Sequence, residues 1–136
     1  MTRLLKRPGP LAGEKSRVPD AVTTVAELRA AMAQFVRERE WEKFHSPKNL
    51  AMALAAEAAE LMEHFLWVDN DESRAVLNDP ARRGEVADEM ADVAGVLFAL
   101  CNALDIDLSE AVAAKMARNV LKYPVEKCRG RYRVED

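Results

Sequence analysis

Two long apolar stretches of this chain each carry two acidic residues three positions apart. The first pair is Glu57 and Glu60, and the second is Glu89 and Asp92. On a helix, residues at i and i+3 share a face about 5 to 6 Å apart, so each pair falls along the stripe that should be buried. Buried carboxylates need a positive partner, and a hard divalent cation such as Mg²⁺ or Mn²⁺ suits a site made of oxygen ligands. The fold must therefore bring these helices together and compensate their charge.

Composition favours helices for the whole chain. Of the 136 residues, 49% are apolar, only 6% are aromatic and five are glycine, while charged residues reach 32%. This mixture is typical of helical proteins, and the length suits one domain with its own core. We therefore predict an all-α protein.

Four helix starts can be recognised from capping residues. They are Thr23 or Thr24, Ser46-Pro47, Asp79-Pro80 and the capping box Asp107-x-x-Glu110. A cap followed by proline at the first helical position is a strong start signal. The predicted helices cover about 24–42, 47–67, 80–104 and 108–123, with a short helical turn in 69–79. Four helices with short connections indicate a four-helix bundle.

The two ends of the chain differ from its centre. Residues 1–22 are rich in Lys, Arg, Pro and Gly and predict a flexible basic tail, 23–125 predict the folded domain, and 126–136 predict an exposed tail. The apolar runs of the first segment are too short for a signal peptide or a membrane span. A net charge of −3 without a broad basic surface argues against nucleic-acid binding. Cys101 and Cys128 suggest no disulfide framework, so a cytoplasmic protein without membrane or nucleic-acid partners is expected.

The acid pairs admit two interpretations from the residues alone. They are either solvated surface acids, as most acids on helices are, or ligands of a metal. A ferritin-like di-iron site requires Glu-x-x-His on two helices. His64 lies four residues after Glu60 and one after Glu63, and the third helix has no histidine. The sequence therefore does not fit a ferritin-like di-iron site, and His64 is expected at the surface.

The ordered set of motifs resembles one family. Glu57-x-x-Glu60 and Glu89-x-x-Asp92 are followed by Lys115, Asn119 and Lys122-Tyr123-Pro124. This order resembles the MazG-like branch of the all-α nucleoside triphosphate pyrophosphohydrolases. Residues 38–45 (EREWEKFH) and 57–61 (EAAEL) most resemble the dCTP pyrophosphatases within that branch.

The resemblance implies a Mg²⁺-dependent enzyme, with Mn²⁺ as a possible substitute, that cleaves a nucleoside triphosphate between the α and β phosphates. It also implies a homodimer or a tetramer of dimers. The implied metal ligands are Glu57, Glu60, Glu89 and Asp92. Glu60 is chosen as the base that accepts a proton from the attacking water, although any of the four acids could orient that water. The implied phosphate-binding residues are Lys115, Asn119 and Lys122, and the candidate base-binding residues are Trp41, His45, Trp67 and Tyr123.

Alternatives remain open for several of these residues. Lys115, Asn119 and Lys122 can equally be solvated side chains near a helix C-terminus. Trp41 can equally be a core residue, and Phe44 is predicted to be one.

Two departures from the family concern the site. Many members have another glutamate where this chain has Ala56, and cytosine-selective members place a histidine and a tyrosine where this chain has Met32 and Val96. The family resemblance therefore predicts the cleavage reaction of this chain better than it predicts which nucleobase the chain prefers.

Two other classes of function are consistent with the sequence. One is a sensor or adaptor that binds nucleotides without efficient turnover, and the other is a helical oligomerisation module without a ligand.

Overall fold

The computed structural model describes residues 18–131, and the regular structure within this range is entirely helical. The prediction of an all-α fold is therefore confirmed. Residues 1–17 of the predicted basic tail and 132–136 of the predicted C-terminal tail lie outside the described residues. The helices are α1 (Val25–Glu38), α2 (Pro47–Glu63), α3 (Asn70–Ala75), α4 (Pro80–Leu104), α5 (Leu108–Lys122) and α6 (Val125–Cys128), with 3₁₀ turns at Glu42–Phe44 and Val76–Asn78.

The helix starts follow the capping residues seen in the sequence. Thr24 and Glu27 form a reciprocal capping box at α1. Hydrogen bonds from the Thr24 backbone amide and hydroxyl to the Glu27 carboxylate lower the pKa of Glu27. The Ser46 hydroxyl accepts from the Asn49 amide at 3.2 Å, and Asp107 accepts from the Glu110 amide at 2.9 Å. Each bond satisfies an amide that has no partner within its helix.

Two helices end earlier than their apolar patterns predict. The sequence extends α1 to about residue 42, but it ends at Glu38 because Glu40 adopts a left-handed conformation with φ of 53°. The sequence likewise extends α2 to Trp67, whereas α2 ends at Glu63 and residues 64–67 form a turn. At the C-terminal ends of both α1 and α2, apolar residues continue at helical spacing after the last hydrogen-bonded turn, so the pattern predicts a helix that is too long.

The chain divides into two compact units, one ending at Asp105 and the other beginning at Ile106. In the first unit α4 packs against α1, α2 and the 3₁₀ turn Val76–Asn78. The small core contains the buried apolar residues Val36, Leu50, Val76, Val86, Ala99 and Cys101. At the contact with α1, Gly95 is buried, and a Cβ added there would lie 2.8 Å from Met32 Cε. The long helix α4 is thus the element on which the first unit is assembled.

The second unit contains α5 and α6. Tyr123 is the C-cap of α5, and its backbone amide donates to the Asn119 carbonyl at 2.8 Å. Pro124 is the N-cap of α6. Between residues 18 and 131 no helix has both the length and the apolar character needed to cross a membrane.

Candidate metal centre

Three of the predicted acidic ligands meet between α2 and α4. Glu57 and Glu60 of α2 and Glu89 of α4 each offer a carboxylate oxygen to one group, and these oxygens lie within 4.8 Å of one another. Glu57 and Glu89 are half-buried, while Glu60 is exposed. Two helices that are far apart in sequence thus bring their acids to one point.

The packing of α2 against α4 explains why Glu57 and Glu89 are sheltered. Glu57 lies one or two turns from Leu50 and Leu61, which face the core, and Glu89 lies one turn after Val86. Because residues three, four and seven apart share a helix face, packing of the apolar residues draws both carboxylates inward. The acids are placed by the same periodicity that builds the core.

The electrostatics of this group are unfavourable without a cation. Partial burial raises the pKa of Glu57, and the charges of Glu60, Asp92 and Glu89 raise it further. Within residues 18–131, Glu89 Oε2 is a buried side-chain oxygen that lacks a hydrogen-bond partner. A buried acceptor of this kind requires a compensating group.

The residues suit a hard divalent cation. All three groups are carboxylates, the ligand type that Mg²⁺ prefers over softer donors, and one of them has the orphaned oxygen. Asp92 is exposed and is not part of the three-oxygen group, although its charge contributes to the raised pKa of Glu57. The structure thus gathers three of the four predicted ligands and leaves the fourth nearby.

A cavity of about 570 Å³ adjoins the acids. Glu60 and Glu89 form part of its wall, and the other lining residues are Glu63, His64, Trp67, Val68, Arg82 and Glu85. This volume is typical of small-molecule sites. His64 is half-buried and is not part of the three-carboxylate group.

The predicted base-binding residues of the first unit are not all at this cavity. Trp67 lines it and is 94% exposed. Trp41 instead packs edge-on against Phe35, with 5.7 Å between ring centroids, and His45 caps the 3₁₀ turn Glu42–Phe44.

Phe44 is 58% exposed, so its prediction as a core residue is wrong for this chain. Its ring is instead approached by the Lys43 ammonium at 5.2 Å.

The remaining predicted residues belong to the second unit. Lys115, Asn119 and Lys122 follow one face of α5 at spacings of four and three. Both lysines are exposed, and Asn119 is half-buried. The Lys122 ammonium lies 5.2 Å from the centre of the Tyr123 ring. Their roles in binding phosphate or base stay predictions.

Apart from the predicted Trp67, the other residues of the cavity wall were not predicted as site residues, although helical spacing could have identified most of them. On α4, Arg82 and Glu85 precede Glu89 by seven and four positions, which places all three on one face. His64 and Trp67 follow Glu60 by four and seven positions in the same way. Extending each acid pair by two turns would have predicted this wall.

Comparisons with known proteins agree on one family. A sequence model of the MazG-like family matches residues 52–133, which include all four acids. Bovine (Bos taurus) dCTP pyrophosphatase 1 is 38% identical over 107 residues, covering 79% of this chain and 63% of that protein. Human (Homo sapiens) dCTP pyrophosphatase 1 is 35% identical over 126 residues, covering 89% of this chain and 74% of the relative. The chain thus spans slightly less than two thirds of the bovine relative's length.

A solved structure supports the same conclusion about the fold. The crystal structure of a pyrophosphatase from Archaeoglobus fulgidus matches with a TM-score of 0.69 at 39% identity. The match covers 82% of this chain and 99% of that protein. This chain therefore has a fold similar to that of a solved pyrophosphatase.

Proposed function

This chain belongs to the MazG-like family, and we propose that it is a Mg²⁺-dependent nucleotide pyrophosphohydrolase. The proposed substrate is dCTP or a base-modified dCTP. The proposed cleavage lies between the α and β phosphates and gives a nucleoside monophosphate and pyrophosphate. The observation that carries this proposal is the three-oxygen group of Glu57, Glu60 and Glu89 beside a cavity of ligand size.

The acids hold the cation in the proposed mechanism. Glu57, Glu60 and Glu89 would bind it, and Asp92 is proposed as the fourth ligand. A bound Mg²⁺ would neutralise phosphate charge and acidify a water molecule. The half-buried Glu57 and Glu89 are fixed by core packing, which suits a ligand that must keep its position.

Glu60 is the proposed general base. It is exposed and lies on the cavity wall within the carboxylate group, so it can reach both a water molecule and the substrate. In the proposed step Glu60 accepts a proton from water, whose oxygen attacks the α-phosphorus in line. The bond from the α-phosphorus to the bridging oxygen breaks, and pyrophosphate leaves with that oxygen.

The residues proposed to recognise the nucleotide are those that the family resemblance implies. Trp41, His45, Trp67 and Tyr123 are proposed to contact the base, because stacking on aromatic rings suits any flat base. Lys115, Asn119 and Lys122 are proposed to donate to phosphate oxygens.

The choice of cytosine is supported by relatives named dCTP pyrophosphatase 1. Selection of cytosine would have to use other side chains than in the cytosine-selective members of the family. Those members place a histidine and a tyrosine where this chain has the half-buried apolar residues Met32 and Val96.

We also propose that the protein is a homodimer or a tetramer of dimers. Helices α2 and α4 expose large apolar side chains in the single chain, since Met52 is 66%, Met62 is 55% and Met90 is 58% exposed. An apolar surface of this kind is typical of protein–protein interfaces.

The experiment that tests the activity is product analysis with a panel of canonical and 5-modified dNTPs and NTPs, with Mg²⁺ and with EDTA. The proposal predicts metal-dependent formation of pyrophosphate and a monophosphate, fastest for a cytosine nucleotide. Release of inorganic phosphate and a diphosphate would contradict the proposed cleavage position. Binding of nucleotide without any release would instead indicate the sensor or adaptor.

A further inference from the structure

Arg82 stands apart from the other residues of the cavity wall because of its charge. The wall contains four carboxylates, from Glu60, Glu63, Glu85 and Glu89, and among the described residues that line it Arg82 is the one permanent cation. A guanidinium stays protonated at any physiological pH. It is therefore the group on this wall best suited to a negatively charged ligand.

The Arg82 guanidinium also has no protein partner among residues 18–131. Glu85 follows Arg82 by three positions, a spacing at which ion pairs form on helices. However, the ion pairs of the described residues join Arg39 to Glu38 and Arg74 to Asp71. The Arg82 side chain makes no hydrogen bond to a described residue either. Its five N–H donors are thus available to a ligand.

The position of Arg82 relative to the acids indicates which part of a nucleotide it would meet. Arg82 lies two helical turns before Glu89 on the same face of α4, and Glu89 belongs to the three-carboxylate group. The cation would hold the phosphate that reacts, so a partner two turns away would meet phosphates further along the chain. Glu63 and Glu85 are exposed, so water screens their repulsion.

We propose that Arg82 binds the β and γ phosphates of the substrate and so selects nucleoside triphosphates over shorter nucleotides. This inference rests on the proposed function and adds a specificity residue to it. Arginine pairs with phosphate through two parallel N–H···O bonds, and the pairing orients the pyrophosphate as the leaving group. Trp67 on the same wall is left free to contact the nucleoside.

Arg83 provides a matched control for this proposal. It is the next residue of α4, is exposed like Arg82 and carries the same charge, but it does not line the cavity. Arg82→Ala and Arg83→Ala therefore change net charge and helix composition equally. Equal melting temperatures would show that both variants are folded to the same degree.

The test is calorimetric binding of two ligands with Mg²⁺ present. One ligand is the α,β-methylene analogue of dCTP, which the proposed reaction cannot cleave, and the other is dCMP. Arg82→Ala should weaken binding of the analogue about tenfold or more, the scale of one charge-assisted pair, and should leave dCMP binding unchanged. Arg83→Ala should bind both ligands like the wild type, and Arg82→Lys should recover part of the lost affinity.

Three results would overturn the proposal. They are equal affinities of Arg82→Ala and Arg83→Ala for the analogue, an equal loss of analogue and dCMP binding in Arg82→Ala, and no binding of the analogue by the wild type. A wild-type protein that binds the analogue through Arg82 but releases no pyrophosphate from dCTP would support the role of Arg82. That same result would overturn only the proposed hydrolysis.

Discussion

The two faces of α2 contrast in a way that is unusual for a helix at the surface of a small protein. One face carries Leu50 and Leu61 together with Glu57, so a carboxylate is half-buried against α4. The opposite face carries Met52 and Met62, which are 66% and 55% exposed. Charge is thus sheltered on the inner face, while large apolar side chains are exposed on the outer face.

The inner and outer faces of α2 therefore require binding partners of different chemistry. On the inner face, three carboxylates within 4.8 Å of one another call for a cation. On the outer face, exposed methionines call for an apolar surface. The proposed enzyme supplies both partners, Mg²⁺ inside and a second copy of the chain outside.

The largest effect is expected from Glu60→Gln. Loss of the proposed base should lower the rate of pyrophosphate release from dCTP by about 100- to 10,000-fold, because the amide cannot accept the proton. Glu63→Gln is the matched control, since Glu63 is an exposed acid of the same helix and cavity wall but lies outside the three-oxygen group. Steady-state kinetics would measure both, and similar rates for the two variants would argue against a special role for Glu60.

The next largest effect is stabilisation of the inner face by its ligands. Mg²⁺ together with the uncleavable dCTP analogue, at 100 times the dissociation constant, should add about 2.7 kcal/mol to the free energy of unfolding. Thermal melting with the ligands and with EDTA measures this shift. Identical melting curves would show that neither Mg²⁺ nor the nucleotide analogue binds, and would favour the oligomerisation module.

A smaller effect is expected on the outer face. Met62→Lys should weaken self-association at least about tenfold, or about 1.4 kcal/mol, because a charge would have to be buried between subunits. Met62→Leu keeps an apolar side chain and should associate like the wild type. Molar mass measured by light scattering over a range of concentrations would decide this, and a wild type that is monomeric throughout would contradict the proposed assembly.

The smallest effect concerns Glu57 in the metal-free protein. Because the folded-state pKa of Glu57 is raised from 4.5, the folded state holds its proton more tightly than the unfolded state does. The contribution of Glu57 to the free energy of unfolding is therefore greatest below pH 4.5, where its carboxyl is protonated in both states. This contribution is lost as the pH rises from about 4.5 through the folded-state pKa. Above that window, Glu57→Gln should be more stable than the wild type by about 0.2 to 0.5 kcal/mol, the scale of one repulsive helical pair.

Denaturant unfolding in EDTA at several pH values would measure this difference. The advantage of Glu57→Gln should shrink as the pH falls below the window, where the wild-type carboxyl is neutral as well. Glu85→Gln, at an exposed acid outside the three-oxygen group, serves as the control. A wild type that is more stable than Glu57→Gln in EDTA at neutral pH would contradict the account of the inner face.

Local signals in the sequence predicted much of the fold. Ser46-Pro47 and Asp79-Pro80 begin α2 and α4 as predicted, since caps depend on neighbouring residues only. Helix ends were predicted less well, because the conformation of Glu40 is not visible in an apolar pattern. Met90 lies one helical turn after the buried Val86 and yet is 58% exposed, a difference that periodicity alone could not predict.

The grouping of three acids could be predicted from the sequence, whereas the residues that surround them could not. Spacing and family resemblance identified Glu57, Glu60 and Glu89, and the structure brings them together. Arg82 and Trp67 share a cavity wall only because α2 and the start of α4 lie side by side, and that is tertiary information. The predicted domain limits at residues 22 and 126 stay predictions.

The most direct test of the account is a calorimetric titration of Mg²⁺ into the wild-type protein and into Glu89→Gln. Glu89 carries the buried oxygen without a partner, so its replacement removes a proposed ligand without changing the size of the side chain. A metal centre at these acids predicts saturable binding to the wild type and binding at least about tenfold weaker to the variant, a loss of about 1.4 kcal/mol or more. Equal affinities, or no binding to either folded protein, would contradict a metal centre at these acids.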